Sequence, residues 1–242
     1  MKIIKVKSFS KLLDELNQFK SNQNIIFRGQ SNQDWKLLPK IGRTEFSNKI
    51  RDAKDEISIL DAWKRYAVHY MQKVPKDDWD WLALAQHYGL ATRLLDWTKN
   101  PLNAIFFAID HPDINLNPAI FTIHMNNDEI LKSDSSPFSI KHLGFIFPRG
   151  LSGRIIQQRS LFSVSKNPKE PLDDILNDRL YKFEIDGNAV PEIEENLEFY
   201  GINKFSIFQD LDSMSDYLNN FVIKRLRSGK EIIQNVYINP VE

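Results

Sequence analysis

Polar side chains that could do chemistry are concentrated in one short, otherwise apolar stretch, which runs from Gln86 to Trp97. Its polar members are Gln86, His87, Thr92, Arg93 and Asp96. Burying a neutral polar group without a hydrogen bond costs about 2 to 7 kcal/mol, and burying a charge costs more. These groups must therefore bond to one another or face a ligand. We expect Gln86, His87, Thr92 and Trp97 to line a pocket.

Two members of this stretch also have a structural interpretation. Arg93 and Asp96 are close in sequence and precede the helix start at Asn100-Pro101, so we predict that they pair with each other. Such a pair would hold the turn between two helices. The pair and the pocket are compatible, because a binding site needs rigid support behind it.

A second polar element is Phe27-Arg28-Gly29-Gln30, which ends a buried strand predicted to begin at Asn24. Arginine presents a planar fork of donors that suits a phosphate or a carboxylate. Gly29 allows a sharp turn or the close approach of a ligand. We therefore expect Arg28, Gly29 and Gln30 to bind the ligand. The alternative for Arg28 is a salt bridge to Asp96.

A third polar element, which contains Arg154 and Gln158, lies between two β-like segments. On an extended strand these two side chains would point the same way. The segment is either the rim of a hairpin or a wall of the site. Polar groups that are buried beside apolar neighbours need hydrogen-bond partners. We therefore expect one cleft to collect Arg28, Gln86, Arg93, Asp96, Arg154 and Gln158.

The elements that must position these residues change in kind along the chain. Helices are predicted after a cap at Ser8 or Ser10, at about residues 50–72, where the pattern is amphipathic, and from Asn100-Pro101 onward. Another helix, apolar nearly all round, is predicted between a cap at Asp78 and the glycine at position 89. Short β-like runs follow at residues 119–124, 144–147, 154–156, 161–164 and 180–185, and then helices at about 190–200 and 211–227. This order favours an α+β fold, with a helix-rich first half packed on a mixed, mainly antiparallel sheet from the second half. No linker divides the chain, so we expect residues 1–242 to form a single domain.

Composition excludes several kinds of site. The chain has no cysteine, which excludes disulfides, thiol nucleophiles and Cys-based metal sites. Its five histidines lack helical ligand spacing, so we expect no metal. Basic and acidic residues balance at 32 each, which argues against a protein that mainly holds a phosphate backbone. The N-terminus does not resemble a signal peptide and no run is long enough to span a bilayer, so we expect a cytoplasmic protein with no membrane partner.

Together these elements resemble the FRG-domain family, which is named for the Phe-Arg-Gly found here at residues 27–29. The resemblance continues in Gln-His-Tyr-Gly at residues 86–89, Thr-Arg-Leu-Leu-Asp-Trp-Thr at 92–98, Asn-Pro-Leu at 100–102 and Phe-Ala at 107–108. Later family positions correspond to Arg154, Gln158, Ser160 and Phe162, and to the segment from Tyr200 to Leu211. Ser160 replaces the usual Gly, and Gln209 stands where Pro is usual. The resemblance covers roughly residues 24–215 and implies an FRG-type domain, but it does not specify a reaction.

Phe27-Arg28-Gly29 also resembles the aromatic-Arg-Gly of arginine-specific ADP-ribosyltransferases, in which the arginine grips the dinucleotide. That resemblance implies an ADP-ribosyltransferase-like fold with NAD as the substrate. Arg28 and Arg154 would then bind the ligand, His87 would flank it, and Gln158 or Glu184 would stand in for the catalytic glutamate. The chain lacks the Ser-Thr-Ser of those enzymes, and a glutamine cannot act as a base.

The sequence therefore leaves two classes of function open. One is an NAD-binding enzyme of ADP-ribosyltransferase or NAD glycohydrolase type, which would suit a bacterial toxin or a phage-defence effector. The other is a non-catalytic domain that recognises a nucleotide or a nucleic acid. A basic cluster near the C-terminus, made of Lys224, Arg225, Arg227 and Lys230, is either a nucleic-acid contact or a solvated helix end. The oligomeric state and the acceptor stay open.

Overall fold

The fold is described from a computed structural model that covers residues 1–110, 116–147 and 160–227. The strands are β1 (Lys2–Val6), β2 (Ile25–Gln30), β3 (Leu95–Thr98), β4 (Ala119–His124), β5 (Gly144–Ile146), β6 (Ser160–Val164) and β7 (Tyr181–Ile185). The helices are α1 (Phe9–Asn17), α2 (Thr44–Ser47), α3 (Ala53–Ala67), α4 (Asp78–His87), α5 (Pro101–Ile109), α6 (Leu172–Leu176), α7 (Val190–Phe199), α8 (Lys204–Phe208) and α9 (Leu211–Arg227). None of these helices is both long and apolar enough to cross a bilayer.

The strands form one seven-stranded sheet in the order β1-β7-β4-β2-β3-β6-β5. Strand β1 pairs with β7 in parallel, and the other neighbours are antiparallel. The expected α+β class with a mixed, mainly antiparallel sheet is therefore confirmed. Three of the strands, however, come from the first hundred residues, so the sheet does not arise from the second half alone.

Strands β1 and β3 were not expected, and both are stabilised by distant partners. In β1 the apolar residues Ile3, Ile4 and Val6 are few and are interrupted by lysine, so neither alternation nor a longer apolar run reveals the strand. Strand β3 is four residues long and pairs with β6, more than sixty residues away. The segment expected to be a turn between two helices is thus a central strand, because pairing across the chain decides its conformation.

Local capping rules predict the helix ends well. The side chain of Ser8 caps α1, and that of Asn100 caps α5 with Pro101 in its first turn. Helix α4 begins one residue earlier than expected, because Asp77 rather than Asp78 accepts the capping bond. Gly89, just beyond this helix, has a φ of 91°, the left-handed conformation expected of a glycine after a helix.

Helices cover one face of the sheet along most of its width. Helices α1, α5, α7 and α8 pack on Phe27, Ile120 and Phe183, which belong to β2, β4 and β7. Helices α3 and α4 cover Phe162 and Val164 of β6 on the same face. The opposite face buries Trp97 and is covered in part by α6. Helix α5 belongs to the first of these two apolar clusters and α4 to the second, so the two clusters meet between α4 and α5.

A buried ion pair between Arg93 and Glu56 anchors the residues that precede β3. The Arg93 guanidinium donates to both carboxylate oxygens of Glu56 on α3, at 2.9 Å each, and to the Pro137 carbonyl at 2.6 Å. Only 3% of the Arg93 side chain and 5% of the Glu56 side chain are exposed. The Phe138 ring lies against the guanidinium. Helix α3, the start of β3 and the segment near Pro137 are therefore tied at one point.

We expect Glu56→Ala to destabilise the protein strongly. The substitution leaves the Arg93 guanidinium buried without its carboxylate, which costs about 3 to 5 kcal/mol. Total stabilities are about 5 to 15 kcal/mol, so the midpoint of urea denaturation should fall steeply. The control is Asp55→Ala, which removes the neighbouring ion pair to the exposed Arg51 and should change little. Equal midpoints for the two variants would contradict the assignment.

Candidate ligand-binding cleft

A cleft opens where strands β2 and β3 meet at only one pair of residues. Phe27 is paired with Thr98, but residues 28–30 and 95–97 are not paired with each other. A cavity of about 360 Å³ lies at this gap, which is within the range of about 300 to 1,000 Å³ usual for small-molecule sites. Its lining consists of Phe27, Arg28, Gly29, Gln30, Ser31, Trp35, Arg43, Ala83, Gln86, His87, Asp96, Trp97, Thr98, Phe107 and Phe162.

Helices α4 and α5 bring several of these side chains to the gap. The end of α4 contributes Gln86 and His87, and α5 contributes Phe107. Helix α5 can lie on β2 only because residue 29 is a glycine. A Cβ there would stand 2.0 Å from the Ala104 carbonyl oxygen and 2.5 Å from the Ala108 nitrogen. The glycine of the Phe-Arg-Gly motif therefore allows the close approach of a helix.

Arg28 bridges the gap between the two strands. Its Nη1 donates to the Asp96 carbonyl oxygen at 2.8 Å, and its Nε donates to Gln30 Oε1 at 3.4 Å. Only 13% of the side chain is exposed, and its ion pair with Asp96 Oδ2 is long, at 3.8 Å. Burial lowers the pKa of Arg28 to about 10, the Asp96 charge offsets this in part, and the Arg43 charge lowers it further. The positive charge of Arg28 is thus buried, and the Asp96 carboxylate compensates it only in part.

A second cation faces the same cavity. Arg43 lines the cleft, and within the described part of the chain no carboxylate lies at ion-pair distance from it. Among the lining residues that the structure describes, Asp96 is the one carboxylate. Two guanidinium groups against one carboxylate make the site favourable to an anion, since like charges close together repel until a counter-charge binds.

Two glutamines of the cleft are held by neighbours. The Thr92 hydroxyl donates to Gln86 Oε1, which leaves the Gln86 amide NH₂ for the cavity. Gln30 Nε2 donates to the Trp35 carbonyl at 3.0 Å and so fixes the loop that carries the Trp35 ring. That loop is also anchored farther on, where the Leu37 amide donates to Asp173 Oδ2 at 2.6 Å. The polar groups are therefore pre-positioned before a ligand arrives.

Aromatic rings supply the apolar walls of the cleft. Trp97 is almost fully buried, and its Nε1 donates to Ser163 Oγ at 2.8 Å. Phe107 and Phe162 come from α5 and β6, and Trp35 is half exposed at the rim. Planar rings beside paired guanidinium groups suit a ligand that has both an aromatic ring and an anionic group.

Most of the residues predicted from the sequence meet at this cleft. The lining includes Arg28, Gly29, Gln30, Gln86, His87, Asp96 and Trp97. Thr92 is buried behind Gln86 and does not line the cavity. Glu184 also lies elsewhere, where Lys182 Nζ contacts its Oε1 at 2.8 Å. Arg154 and Gln158 lie outside the described residues.

The predicted pair between Arg93 and Asp96 is wrong. Arg93 bonds to Glu56 instead, and Asp96 is exposed on β3 and faces Arg28. The alternative weighed for Arg28, a contact with Asp96, is the one present. The error has a structural cause: residues three apart neighbour each other on a helix, whereas residues 95–98 form a strand. Arg93 therefore supports the cleft from behind without entering it.

Arg43 and Trp35 are among the cleft residues that sequence reasoning missed. Arg43 follows the short helical turn at Lys40–Gly42, and Trp35 sits in a loop, so neither belongs to a periodic element. An arginine and a tryptophan in a polar stretch are ordinary surface residues unless the fold brings them to a cavity. Among the described residues, no group of three or more His, Cys, Asp or Glu could hold a metal ion.

Comparison with known proteins gives one match. The FRG domain family model matches residues 23–115 of the chain. No curated protein matches, and no solved structure matches either. The matched range includes the Phe-Arg-Gly at 27–29, the stretch from Gln86 to Trp97, and the start of α5. The later correspondences at Arg154, Gln158, Ser160 and Phe162, and from Tyr200 to Leu211, lie beyond it.

We expect Gly29→Ala to destabilise the protein, because the new methyl group meets backbone atoms of α5 that cannot rotate away. Overpacking of this kind costs about 1 to 3 kcal/mol or more. Thermal melting is the measurement. The control is Gly187→Ala, whose Cβ would meet only Asn117 Oδ1 at an ordinary 3.4 Å and which should melt like the wild type. An unchanged melting temperature for Gly29→Ala would show that α5 does not rest on β2 so closely.

Proposed function

We propose that the cleft binds NAD and cleaves it, so that ADP-ribose passes to an acceptor or to water. The observation that carries the proposal is the state of Arg28. Its guanidinium is largely desolvated, Nη1 and Nε are engaged by Asp96 and Gln30, and Nη2 has no partner among the described residues. A phosphate group would supply the negative charge that Asp96 provides only in part. One of its oxygens would accept a hydrogen bond from Nη2.

The rest of the cleft is consistent with a dinucleotide. Arg43 adds a second cation for a pyrophosphate, and both arginines lie on the same cavity. Trp35 and Phe107 offer ring faces on which a base or a nicotinamide can stack. The amide NH₂ of Gln86 is placed to donate to a ribose hydroxyl or a carboxamide. Each ligand group thus has a complementary protein group.

Cleavage of NAD needs little covalent chemistry from the protein. The bond between the nicotinamide nitrogen and the ribose carbon breaks, and nicotinamide leaves with the bonding electron pair. The acceptor or a water then forms the new bond at that carbon and gives up a proton. The transition state resembles an oxocarbenium ion, which a nearby carboxylate stabilises. Asp96, the carboxylate of the described lining, takes that role here, and Glu184 does not reach the cavity.

The biological setting of the proposal is a bacterial cytoplasm, where consumption of NAD would suit a toxin or a phage-defence effector. Expression of the wild-type chain should then lower cellular NAD and slow growth. Expression of a variant that lacks the cleft arginines should not.

We expect Arg28→Ala to weaken NAD binding without destabilising the fold. Losing a charge-assisted contact costs about 1.5 to 3 kcal/mol, which is roughly 10- to 100-fold in affinity. The melting temperature should hold or rise, because the substitution removes a cation whose folded pKa lies below its usual value and which folding therefore disfavours.

The affinity is measured by titration calorimetry with NAD and with ADP-ribose. The matched control is Arg51→Ala, since Arg51 is an exposed arginine that pairs with Asp55 on α3 and does not line the cleft. No heat with either ligand, for a wild-type protein that melts normally, would refute the proposal.

We expect Asp96→Asn to separate binding from chemistry. The amide keeps the shape of the side chain but cannot stabilise a cationic transition state. NAD binding should therefore persist, while nicotinamide release falls by about 10² to 10³-fold, the usual cost of removing one preorganised electrostatic group. If the wild type binds NAD but releases no nicotinamide, the domain recognises a nucleotide without catalysis. Equal release rates for the wild type and Asp96→Asn would remove Asp96 from the mechanism.

A further inference from the structure

An exposed aromatic strip leads from the surface of α3 to the cleft. It consists of Trp63, Tyr66, Tyr70 and Tyr88. Tyr66 is 78% exposed and Tyr70 is 86% exposed, although tyrosines of a folded core are largely buried. Trp63, Tyr66 and Tyr70 follow one another at spacings of three and four residues, which places them along one side of the helix and its last turn.

The strip is continuous with the cavity. The Tyr88 ring lies 6.5 Å from the Trp63 ring and 5.0 Å from the imidazole of His87, measured between centroids. His87 in turn lines the cleft. A flexible ligand that stacks on the exposed tyrosines can therefore enter the cavity without leaving the protein surface.

The segment that carries Trp63, Tyr66 and Tyr70 is basic. From residue 62 to residue 76 the sequence contains no Asp or Glu, while Arg65, Lys73 and Lys76 are all exposed. Lys64, the other cation of this stretch, is neutralised by Asp61 and Asp78, at 3.3 and 2.7 Å. The chain as a whole has a net charge of zero, so this segment differs from its surroundings.

We infer that the aromatic strip binds single-stranded nucleic acid and directs it toward the cleft. Every base has a flat face that stacks on a tyrosine, and the flanking cations follow the phosphate backbone. A double helix hides its base faces, so the strip favours a single strand over a duplex. This inference does not depend on NAD as the occupant of the cavity. It involves residues other than the C-terminal basic cluster at Lys224 to Lys230.

The test is fluorescence anisotropy with the full chain and labelled single strands. An oligothymidylate and an oligouridylate are compared, to show whether the bound nucleic acid is DNA or RNA. Binding should weaken as salt rises, since phosphate contacts release counter-ions. Tyr66→Ala and Tyr70→Ala should each lower the affinity about tenfold, because each removes one stacking platform. Tyr66→Phe keeps the ring and should bind like the wild type.

The matched control is Phe199→Ala. Phe199 is 83% exposed on α7 but stands next to Glu198 and near Glu194 and Glu195, so it has the exposed ring without the positive surroundings. Its removal should leave the affinity unchanged. Circular dichroism checks that all the variants are folded.

Four outcomes would overturn the inference: no binding of either strand, equal binding of a duplex, affinity that the tyrosine variants leave unchanged, or a strip that instead joins two copies of the chain in light scattering. The result of this test is independent of the result of the NAD titration. Strand binding without calorimetric heat from NAD would refute the proposed function and leave this inference standing. Heat from NAD without binding of a nucleic-acid strand would refute this inference and leave the proposed function standing.

Discussion

The ion pair between Glu56 and Arg93 is the interaction on which the cleft depends. Arg93 directly precedes Leu94 and β3, and Glu56 lies near the start of α3, so the pair sets where these two elements meet. Helix α3 carries the partners of α4, and α4 brings Gln86 and His87 to the cavity. Buried ion pairs often contribute little net stability compared with apolar residues of similar size, but removing one partner is costly. Such a pair fixes geometry more than it adds free energy.

The cleft itself follows from an interruption in a sheet. A fully paired β2 and β3 would close the gap, and Arg28 would have no cavity to face. Because the two strands share only the Phe27 and Thr98 pair, side chains from both faces of the sheet meet at the gap. Arg28 then takes the place of the missing ladder bonds by donating to the Asp96 carbonyl at 2.8 Å. The residue that crosses the gap is also the residue best placed to bind an anion.

The parts of the molecule that sequence reasoning predicted are those governed by local rules. The caps of α1 and α5, the glycine after α4 and the α+β class all follow from residue types at fixed spacings. The meeting of Arg28 with Gln86 and His87 also follows, since desolvated polar groups need one another. Arg43, Trp35 and the Arg93 partner did not follow. Their roles come from contacts between distant segments, and the strand character of residues 95–98 depends on β6, which no local pattern reports.

The single rung between β2 and β3 divides the helical face of the sheet into two units, each with its own apolar cluster, while a cluster on the opposite face is common to both. One unit is β1-β7-β4-β2 with α1, α5 and α7, and the other is β3-β6-β5 with α3 and α4. Native proteins open in such cooperative units, each with its own free energy. The amide protons of the two units should therefore exchange with solvent at different rates in the empty protein. A ligand held by Arg28 on one side and by Gln86 on the other would act as a bridge, and the two units would then exchange as one.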